Sequence, residues 1–228
     1  LRRPTARLLD AENPTPDQGE APGVLPPEPP APPSAEASAP EAPPFSLKDR
    51  FPSLLAALAR QGFSFAPWQV AAYLTALRTR PFVILAGVSG TGKSALPRLV
   101  SRHVGGVCAT VPVSPSWTDS AELIGYRNLN GTFCPGRFYT FCEAARSAPE
   151  TPHTLVLDEM NLARVEHYFA EVLSAMEERE WLPEVGLSEP GIDVAALGDD
   201  GPLALPRNLA LVGTVNMDES TMPFSKKV

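Results

Sequence analysis

One stretch of this chain constrains its fold more than any other, because a strand, a glycine-rich loop and a helix follow one another without a gap. The stretch reads "PFVILAGVSGTGKSALPRLVSRH". Residues 82–86 are a short apolar run with β-branched members, which predicts a buried strand. The spacing G-x-x-x-x-G-K-S then runs from Gly87 to Ser94, and apolar residues at helical spacing follow. This order is the context that a phosphate-binding loop requires.

The loop contains the residue types that phosphate binding needs. Glycines at positions 87, 90 and 92 permit backbone angles and a close approach that a Cβ atom would block. Backbone N–H groups and the positive end of the helix dipole would then surround the phosphates. We expect Lys93 to reach the β- and γ-phosphates and the Ser94 hydroxyl to be a ligand of Mg²⁺. The predicted nucleotide-binding residues are Gly87, Val88, Ser89, Gly90, Thr91, Gly92, Lys93, Ser94 and Ala95.

The run "HTLVLDEMN" predicts a second buried strand, which ends in Asp158 and Glu159. In phosphate-loop enzymes an acid at a strand end orients Mg²⁺ and its water, so we expect Asp158 to be a metal ligand together with Ser94. A second carboxylate directly after it can polarise an attacking water, which makes Glu159 the expected catalytic base. Paired acids at a strand end are common, and they carry this meaning only beside a phosphate loop. The pair favours hydrolysis of the nucleotide over phosphoryl transfer to a bound acceptor.

A third buried run, "RNLALVGTVN", ends on a polar residue, Asn216. In a parallel sheet the carboxyl ends of the strands meet at one edge, where ligands bind. Gly87, Asp158 and Asn216 all lie at such ends. An amide there can hold the attacking water or the γ-phosphate, since it offers a donor and an acceptor. We interpret Asn216 as a catalytic residue beside Lys93 and Glu159, and the alternative is an asparagine that starts a turn.

Composition divides the chain into two parts. Residues 1–45 hold 13 of the 27 prolines, and their seven acidic and three basic side chains give −4 of the total charge of −7. Such a segment lacks the apolar side chains that offset the entropy of ordering. We predict a disordered, semi-stiff linker; the alternative is a proline-rich ligand for a partner's aromatic groove. Residues 46–228 form the predicted nucleotide-binding domain. The first residue is leucine, so we expect the chain to begin within a longer protein.

Several classes of protein do not fit this composition. The sequence has neither an apolar run of about 18 residues, as a membrane span needs, nor a charged-then-apolar leader. The cysteines, Cys108, Cys134 and Cys142, lack C-x-x-C spacing, which favours reduced thiols over a disulfide or zinc site. A pI near 5.0 argues against a stand-alone nucleic-acid binder but is compatible with a basic pore or loop. We predict a cytoplasmic protein without a membrane partner.

With these motifs in place, the chain resembles the AAA+ ATPases of the McrB-like and dynein-related group, which neighbours the MoxR-like ATPases. The resemblance covers residues 65–228 and is carried by "GVSGTGKS", "LVLDEMNLARVEHYFAEVLSAMEE" and "PRNLALVGTVNMDESTMPFSKKV". In that family the first is Walker A, the second holds Walker B, and Asn216 falls on the sensor 1 position. The resemblance implies an α/β fold, a P-loop three-layer α/β/α sandwich with a parallel five-stranded sheet. It also implies a homo-oligomeric ring, often a hexamer, in which a neighbour's arginine stabilises the transition state.

The chain departs from that family at Walker B and at sensor 1. McrB-type restriction GTPases commonly show "DEINR" and "MNTAD" followed by arginine, whereas this chain has "DEMNL" and "VNMDE" followed by Ser220. Leu162 and Ser220 thus replace arginines, and Glu219 replaces an aspartate, so guanine selectivity does not carry over to this chain. The resemblance implies ATP, the default of the wider family, or GTP. Arg164 either substitutes for the missing arginine or is a surface residue at a helix start. From the resemblance, we expect the sequence to end just before the position where the family carries its trans-acting arginine and its lid.

The segment "LIGYRNLNGTFC" predicts a hairpin with a Gly-containing turn, between a strand near residues 107–113 and a helix from Arg137. Related ATPases insert a hairpin here that can face the pore of the ring. Either the hairpin contacts a partner through Tyr126, Arg127, Phe133 and Arg137, or it only covers the core.

Three further segments lie outside the motifs. The run "RVEHYFAEVLSAMEERE" predicts a helix that packs on the sheet, with an apolar face of Val165, Tyr168, Phe169, Val172, Leu173 and Met176. Two helices broken at "QGFSFAP" precede the phosphate loop, and residues 65–68 either contact the nucleotide base or pack in the core. Residues 178–206 predict a hairpin or loop.

Three functions fit these features. The first is the motor subunit of an McrB-like restriction or defence system, which couples ATP or GTP hydrolysis to work on DNA and pairs with a nuclease subunit. The second is a MoxR-like chaperone that remodels proteins. The third is a nucleotide-binding switch without turnover, against which Glu159 argues. We predict the first.

Overall fold

The fold is that of a computed structural model, and its elements follow the buried runs of the sequence. The described residues are 47–80, 82–182, 184, 186–192, 197 and 201–217. All of them belong to one compact unit, Phe45–Val228. The predicted linker, residues 1–45, lies outside the described residues, as do residues 218–228.

The described residues form six α-helices and ten strands. In chain order they are α1 (Leu47–Arg60), α2 (Pro67–Thr79), β1 (Phe82–Gly87), α3 (Ala95–His103), β2 (Val107–Pro112), β3 (Gly125–Arg127), β4 (Phe133–Pro135), α4 (Arg137–Ser147), β5 (His153–Asp158), α5 (Val165–Tyr168), α6 (Ala170–Glu177), β6 (Trp181–Leu182), β7 (Gly186–Leu187), β8 (Gly191–Ile192), β9 (Leu203–Ala204) and β10 (Leu209–Asn216). A 3-10 turn, Met160–Leu162, follows β5. No helix within the described ranges is both long and apolar enough to cross a membrane.

A parallel sheet forms the centre of the fold, with the strand order β1-β10-β5-β2. Every neighbouring pair is parallel, and Asn216 pairs with Gly87 at the carboxyl edge. The expected count of five strands is wrong for the described residues, which contribute four to this sheet. Each of the four corresponds to an apolar run of the sequence. The fifth came from the family resemblance alone, and no run among these residues matched it.

Two hydrophobic clusters cover the two faces of the sheet and give the predicted three layers. Successive side chains of a strand point to opposite faces, and β10 shows this clearly. Leu211 and Val215 belong to the cluster that contains α4, α5 and α6, whereas Val212 belongs to the cluster with α1, α2 and α3. The alternation places Thr214 and Asn216 on the second face, where α3 follows the phosphate loop. The α/β/α fold class is therefore confirmed.

The helix predicted after the acid pair is interrupted at Phe169, which has φ −126° and ψ 4° between α5 and α6. The predicted apolar face is buried except for Met176, which is partly exposed. Tyr168 and Phe169 are adjacent and both fully buried. Phe169 leaves helical geometry where its ring packs against Phe82, with ring centroids 5.7 Å apart.

The segment predicted as a hairpin or loop forms two short hairpins, β6–β7 and β8–β9. Arg179, which is 7% exposed, lies where they meet the end of α6. Its guanidinium donates to the carbonyls of Ser188 (3.3 Å), Leu205 (3.1 Å), Leu209 (3.5 Å) and Pro206. Burial lowers the pKa of Arg179. These bonds hold the chain in place just before β10 begins.

Candidate active site

The loop between β1 and α3 adopts the conformation that its glycines allow. Gly90 and Gly92 have φ of 80° and 83°, in the left-handed region that favours glycine. Gly87 lies outside that region, and a Cβ atom on it would make only an ordinary contact, 3.7 Å from Thr91 Oγ1. Two of the three predicted glycines are therefore required by the backbone seen here.

The loop leaves a row of N–H donors without backbone acceptors. Among the described residues, the N–H groups of residues 88–94 donate no backbone hydrogen bond, whereas those of Ala95 and Leu96 donate to the Gly92 carbonyl at 3.0 Å. Lys93 Nζ donates to the Val88 carbonyl at 2.6 Å, so its ammonium lies over the loop. Open N–H groups at a helix N-terminus favour an anion such as a phosphate.

A cavity of about 360 Å³ adjoins this loop. Its lining includes Phe65, Trp68, Tyr73, Thr91 and Lys93. Phe65 lies against the loop, since a Cβ atom on Gly92 would be 3.0 Å from its ring. Trp68 is 70% exposed. Of the aromatic residues before the phosphate loop, Phe65 thus packs on it, and Trp68 borders open space beside it.

Ser94 and Asp158 are brought together although 64 residues separate them. Ser94 Oγ donates to Asp158 Oδ1, and Thr214 Oγ1 donates to the same oxygen at 2.7 Å. The described residues contain no cluster of three His, Cys, Asp or Glu side chains that could hold a metal ion. A cation at this place would therefore take Ser94 and Asp158 as its protein ligands and complete its shell with water or with oxygens of a bound ligand.

Glu159 lies directly beside this contact in an unusual conformation. Its φ of 53° makes it the one non-glycine residue with positive φ among those described, and such a conformation persists only where the surroundings enforce it. Its N–H donates to Thr214 Oγ1 at 2.9 Å, and its Oε1 accepts from Asn216 Nδ2 at 2.6 Å. The buried Tyr168 hydroxyl donates to the Met160 carbonyl at 2.8 Å and anchors the turn that follows.

Asn161 links this turn to the end of β10. It is 2% exposed, and its Nδ2 donates to the Asn216 carbonyl at 3.3 Å. Its Oδ1 is buried and has no partner in the part of the chain that the structure describes. Asn216 thus contacts the turn of residues 158–162, the acid turn, through both its side chain and its backbone.

The structure therefore places Lys93, Ser94, Asp158, Glu159 and Asn216 at one edge of the sheet, as parallel strands dictate. Asn216 is adjacent to the phosphate loop in register, and the Met217 N–H donates to the Gly87 carbonyl at 3.3 Å. Arg164 is exposed and lies at the start of α5. No hydrogen bond or ion pair within the described ranges joins it to either acid.

Sequence reasoning missed two residues that hold the acid turn. The helical period predicts only core packing for Tyr168, and none of the motifs assigns a role to Thr214. A signal for Thr214 did exist, because it is a polar residue two positions before Asn216 in an otherwise apolar strand. Side chains two apart share a strand face, so Thr214 had to lie on the face of Asn216.

The predicted hairpin residues differ in their surroundings. Tyr126 is 53% exposed. Arg127 donates to the carbonyls of Gly131 (2.9 Å) and Leu197 (2.7 Å). Phe133 packs edge-to-face on Tyr139, with ring centroids 5.0 Å apart. Arg137 begins α4.

Comparison with known proteins adds to this geometry. A model of the family described as "AAA domain (dynein-related subfamily)" matches residues 82–218, more than half of the chain. The chain is 26% identical over 160 residues to the Type IV methyl-directed restriction enzyme EcoKMcrB subunit of Escherichia coli K12. That alignment covers 65% of this chain and 33% of the relative, so the chain spans about a third of the relative's length. A solved structure from Cytophaga hutchinsonii ATCC 33406, named as a candidate ATPase, superposes with a TM-score of 0.46 at 14% identity, over 78% of this chain and 46% of that one.

Proposed function

Because the chain belongs to the dynein-related subfamily of AAA domains, we propose that it binds a nucleoside triphosphate with Mg²⁺ and hydrolyses it. The observation that carries the proposal is the contact of Ser94 with Asp158 beside a loop of open N–H groups. A phosphate-binding loop, a metal-binding hydroxyl and a strand-end acid are the parts that hold a nucleotide and its cation in P-loop enzymes.

The donor set suits Mg²⁺. This ion prefers oxygen ligands, keeps several waters and usually takes only one or two protein carboxylates besides substrate phosphates. Ser94 Oγ and Asp158 are hard oxygen donors of this kind, and Lys93 adds positive charge above the loop. When bound, the cation would neutralise charge on the β- and γ-phosphates. Lys93 would share that role by turning from the Val88 carbonyl to the phosphates.

Glu159 is the proposed base, and Asn216 orients it. The Asn216 amide donates to Glu159 Oε1 at 2.6 Å, which leaves the other carboxylate oxygen to accept a proton from the attacking water. The turn that carries Glu159 is held by Thr214 and Tyr168, so the carboxylate stays aimed without an ordering step during the reaction. Such preorganisation is what makes general-base catalysis effective.

The nucleotide is ATP or GTP. The cavity beside the loop, bordered by Phe65 and Trp68, is the proposed place of the base and ribose. Phe65 already contacts the phosphate loop, so a base here would extend that aromatic contact. The free cysteines suit the reducing cytoplasm, where we place the protein.

We further propose that the chain is part of an McrB-like motor, in which a homo-oligomeric ring, such as a hexamer, acts on DNA with a nuclease subunit. The support is the 26% identity to a restriction-enzyme subunit. In that assembly an arginine of a neighbouring subunit would complete the site, and such an arginine raises rates by about 10³- to 10⁵-fold in P-loop enzymes. Hydrolysis per subunit would then rise with protein concentration.

The hairpin β3–β4 favours a second candidate, the remodelling of a protein partner. Its tip carries Leu129, which is fully exposed, and Tyr126 on the same hairpin is about half exposed. Arg127, the cation of this hairpin, donates to two carbonyls of the chain itself. Exposed apolar and aromatic side chains suit a protein contact better than a phosphate backbone, which is bound mainly through Lys and Arg.

The test is Mg²⁺-dependent release of phosphate from ATP and from GTP by the purified protein, alone, with duplex DNA and with an unfolded protein. Lys93→Ala is expected to abolish most release, because it removes the cation above the loop. Arg98→Ala is the control, since Arg98 is an exposed cation on α3. Stimulation by DNA supports the restriction-type motor, and stimulation by protein alone supports remodelling. Absence of release under all conditions contradicts the proposal.

A further inference from the structure

The Thr214 hydroxyl is shared by the two acid residues. Its Oγ1 donates to Asp158 Oδ1 at 2.7 Å and accepts the N–H of Glu159 at 2.9 Å. The roles of the hydroxyl are thereby assigned, since the backbone N–H can only donate and an ionised carboxylate can only accept. Thr214 is 1% exposed, so little solvent is present to replace either bond.

The bond to Glu159 answers a need created by the fold. Pairing between β5 and β10 ends at Leu157 and Gly213, and the backbone then turns into the left-handed conformation at Glu159. Within the described residues the Glu159 N–H has no backbone acceptor. A partly buried N–H without an acceptor is unfavourable, and Thr214 Oγ1 supplies the acceptor at the residue where the strand geometry is lost.

The bond to Asp158 has a different significance, because Ser94 donates to the same oxygen. In the proposed function, the Ser94 oxygen becomes a ligand of the cation. A hydroxyl that gives an oxygen lone pair to a cation has to direct its O–H to suit that contact. Thr214 is not a proposed ligand, so its bond to this carboxylate does not depend on the cation.

We infer that Thr214 is a positioning residue, which keeps the metal-binding Asp158 and the base Glu159 in a fixed relation throughout turnover. The inference rests on the proposed function and extends it to a residue outside the phosphate loop and the acid pair. A β-branched side chain in a strand has few χ1 rotamers. Threonine therefore keeps its hydroxyl between the two acids with less freedom than serine would have.

The experiment compares Thr214→Val, which keeps the shape and removes the hydroxyl, with Thr214→Ser, which keeps the hydroxyl. Thr154→Val is the matched control. Thr154 is a buried threonine on β5, 7% exposed, on the same strand face as Asp158, and no hydrogen bond among the described residues joins its side chain to either acid. Binding of a fluorescent non-hydrolysable nucleotide analogue is titrated with Mg²⁺ and in EDTA, and kcat and KM are measured separately.

Loss of a residue that orients a metal ligand typically costs about 10- to 100-fold in metal affinity or activity. Thr214→Val is therefore expected to raise the Mg²⁺ concentration at half-saturation, and to lower kcat, by about 10- to 100-fold. Binding in EDTA should stay close to wild type, since Lys93 and the loop are untouched. Thr214→Ser should recover most of the loss. A purely structural role would lower the melting temperature in both valine variants without moving the Mg²⁺ midpoint.

An unchanged Mg²⁺ midpoint and kcat in Thr214→Val, beside an active wild type, overturns the inference alone. If the nucleotide affinity of the wild type does not depend on Mg²⁺, the proposed function itself is overturned. Should Thr214→Val fail to fold, Thr214→Cys is the second variant, because a thiol is smaller than the valine side chain and a weaker hydrogen-bonding group than a hydroxyl. A wild-type Mg²⁺ midpoint in the folded cysteine variant would equally overturn the inference.

Discussion

Gly213, in the middle of β10, offers a sharp test of how the acid turn is packed. A Cβ atom built on Gly213 would overlap Met160 Sδ and would lie 3.2 and 3.3 Å from its Cγ and Cε. Favourable contacts between carbon atoms begin at about 3.5 Å, so three atoms of Met160 would have to move. Met160 is fully buried and directly follows Glu159, and its carbonyl accepts from Tyr168. The added methyl group therefore pushes on the turn that carries the base.

The change in the free energy of unfolding expected for Gly213→Ala follows from two opposing effects. Forcing an extra methyl group into a packed core costs typically about 1–3 kcal/mol, and the contact with three atoms places this site in the upper half of that range. Replacing glycine within a strand regains roughly 0.5–1 kcal/mol of chain entropy. We expect a net loss of about 1–2.5 kcal/mol in the free energy of unfolding, or about 2–10 °C in melting temperature for a domain of this size. kcat should fall through Glu159, with nucleotide affinity retained.

The assay is a double-mutant cycle in urea with Gly213→Ala, Met160→Ala and the double variant. Met160→Ala alone should cost about 2–5 kcal/mol, because it leaves a cavity in the core. In the double variant the new methyl group has room. The loss in free energy of unfolding of the double variant should therefore be smaller than the sum of the two single losses by about 1 kcal/mol or more. A Gly213→Ala variant as stable as wild type, or strictly additive losses, would refute the reasoning that this glycine is required by Met160.

Two further predictions concern groups outside the acid turn. Arg179→Met has a long apolar side chain but lacks the donors to the carbonyls of Leu205 and Pro206. The free energy of unfolding in urea should therefore fall by about 2–4 kcal/mol, while nucleotide affinity stays unchanged. A loss below about 0.5 kcal/mol, as for an ordinary surface site, would contradict a stabilising role for these buried hydrogen bonds. Burial raises the pKa of the Cys108 thiol from 9.0 to about 11, so the folded state binds this proton more tightly than the unfolded state does. The contribution of the protonated thiol to the free energy of unfolding is therefore full below pH 9 and is lost as the pH rises towards 11. Between pH 8 and 11 the melting temperature should fall less steeply for Cys108→Val than for wild type. Identical slopes would show that this thiol does not contribute to the pH dependence of stability.

The parts of the site that were predictable from sequence depend on periodicity and on strand ends. Apolar runs located the four strands of the sheet. Because the carboxyl ends of parallel strands meet at one edge, Gly87, Asp158 and Asn216 could be assigned to one place without knowledge of the strand order. The glycine spacing likewise identified the loop, although Gly87 turned out to need no special backbone angle.

The parts that were not predictable depend on contacts between segments distant in the chain. Thr214 meets Asp158 across 56 positions, and only the register of β10 against β5 decides that it bridges both acids. The left-handed backbone at Glu159 has no local sequence signal, since glutamate rarely adopts it. The interruption at Phe169, whose ring packs against Phe82, has no signal in the helical period of the sequence.

The most direct test of the central claim is the rate of phosphate release in a single turnover by Glu159→Gln, measured at saturating Mg²⁺ and nucleotide beside wild type. Glutamine keeps the shape of the side chain and a carbonyl oxygen, but it cannot accept the proton of the attacking water. Positioned general-base catalysis contributes about 10²- to 10⁴-fold, so release should slow by at least about 100-fold while the nucleotide remains bound as the triphosphate. Release at the wild-type rate with intact binding would show that Glu159 is not the base and would contradict the account.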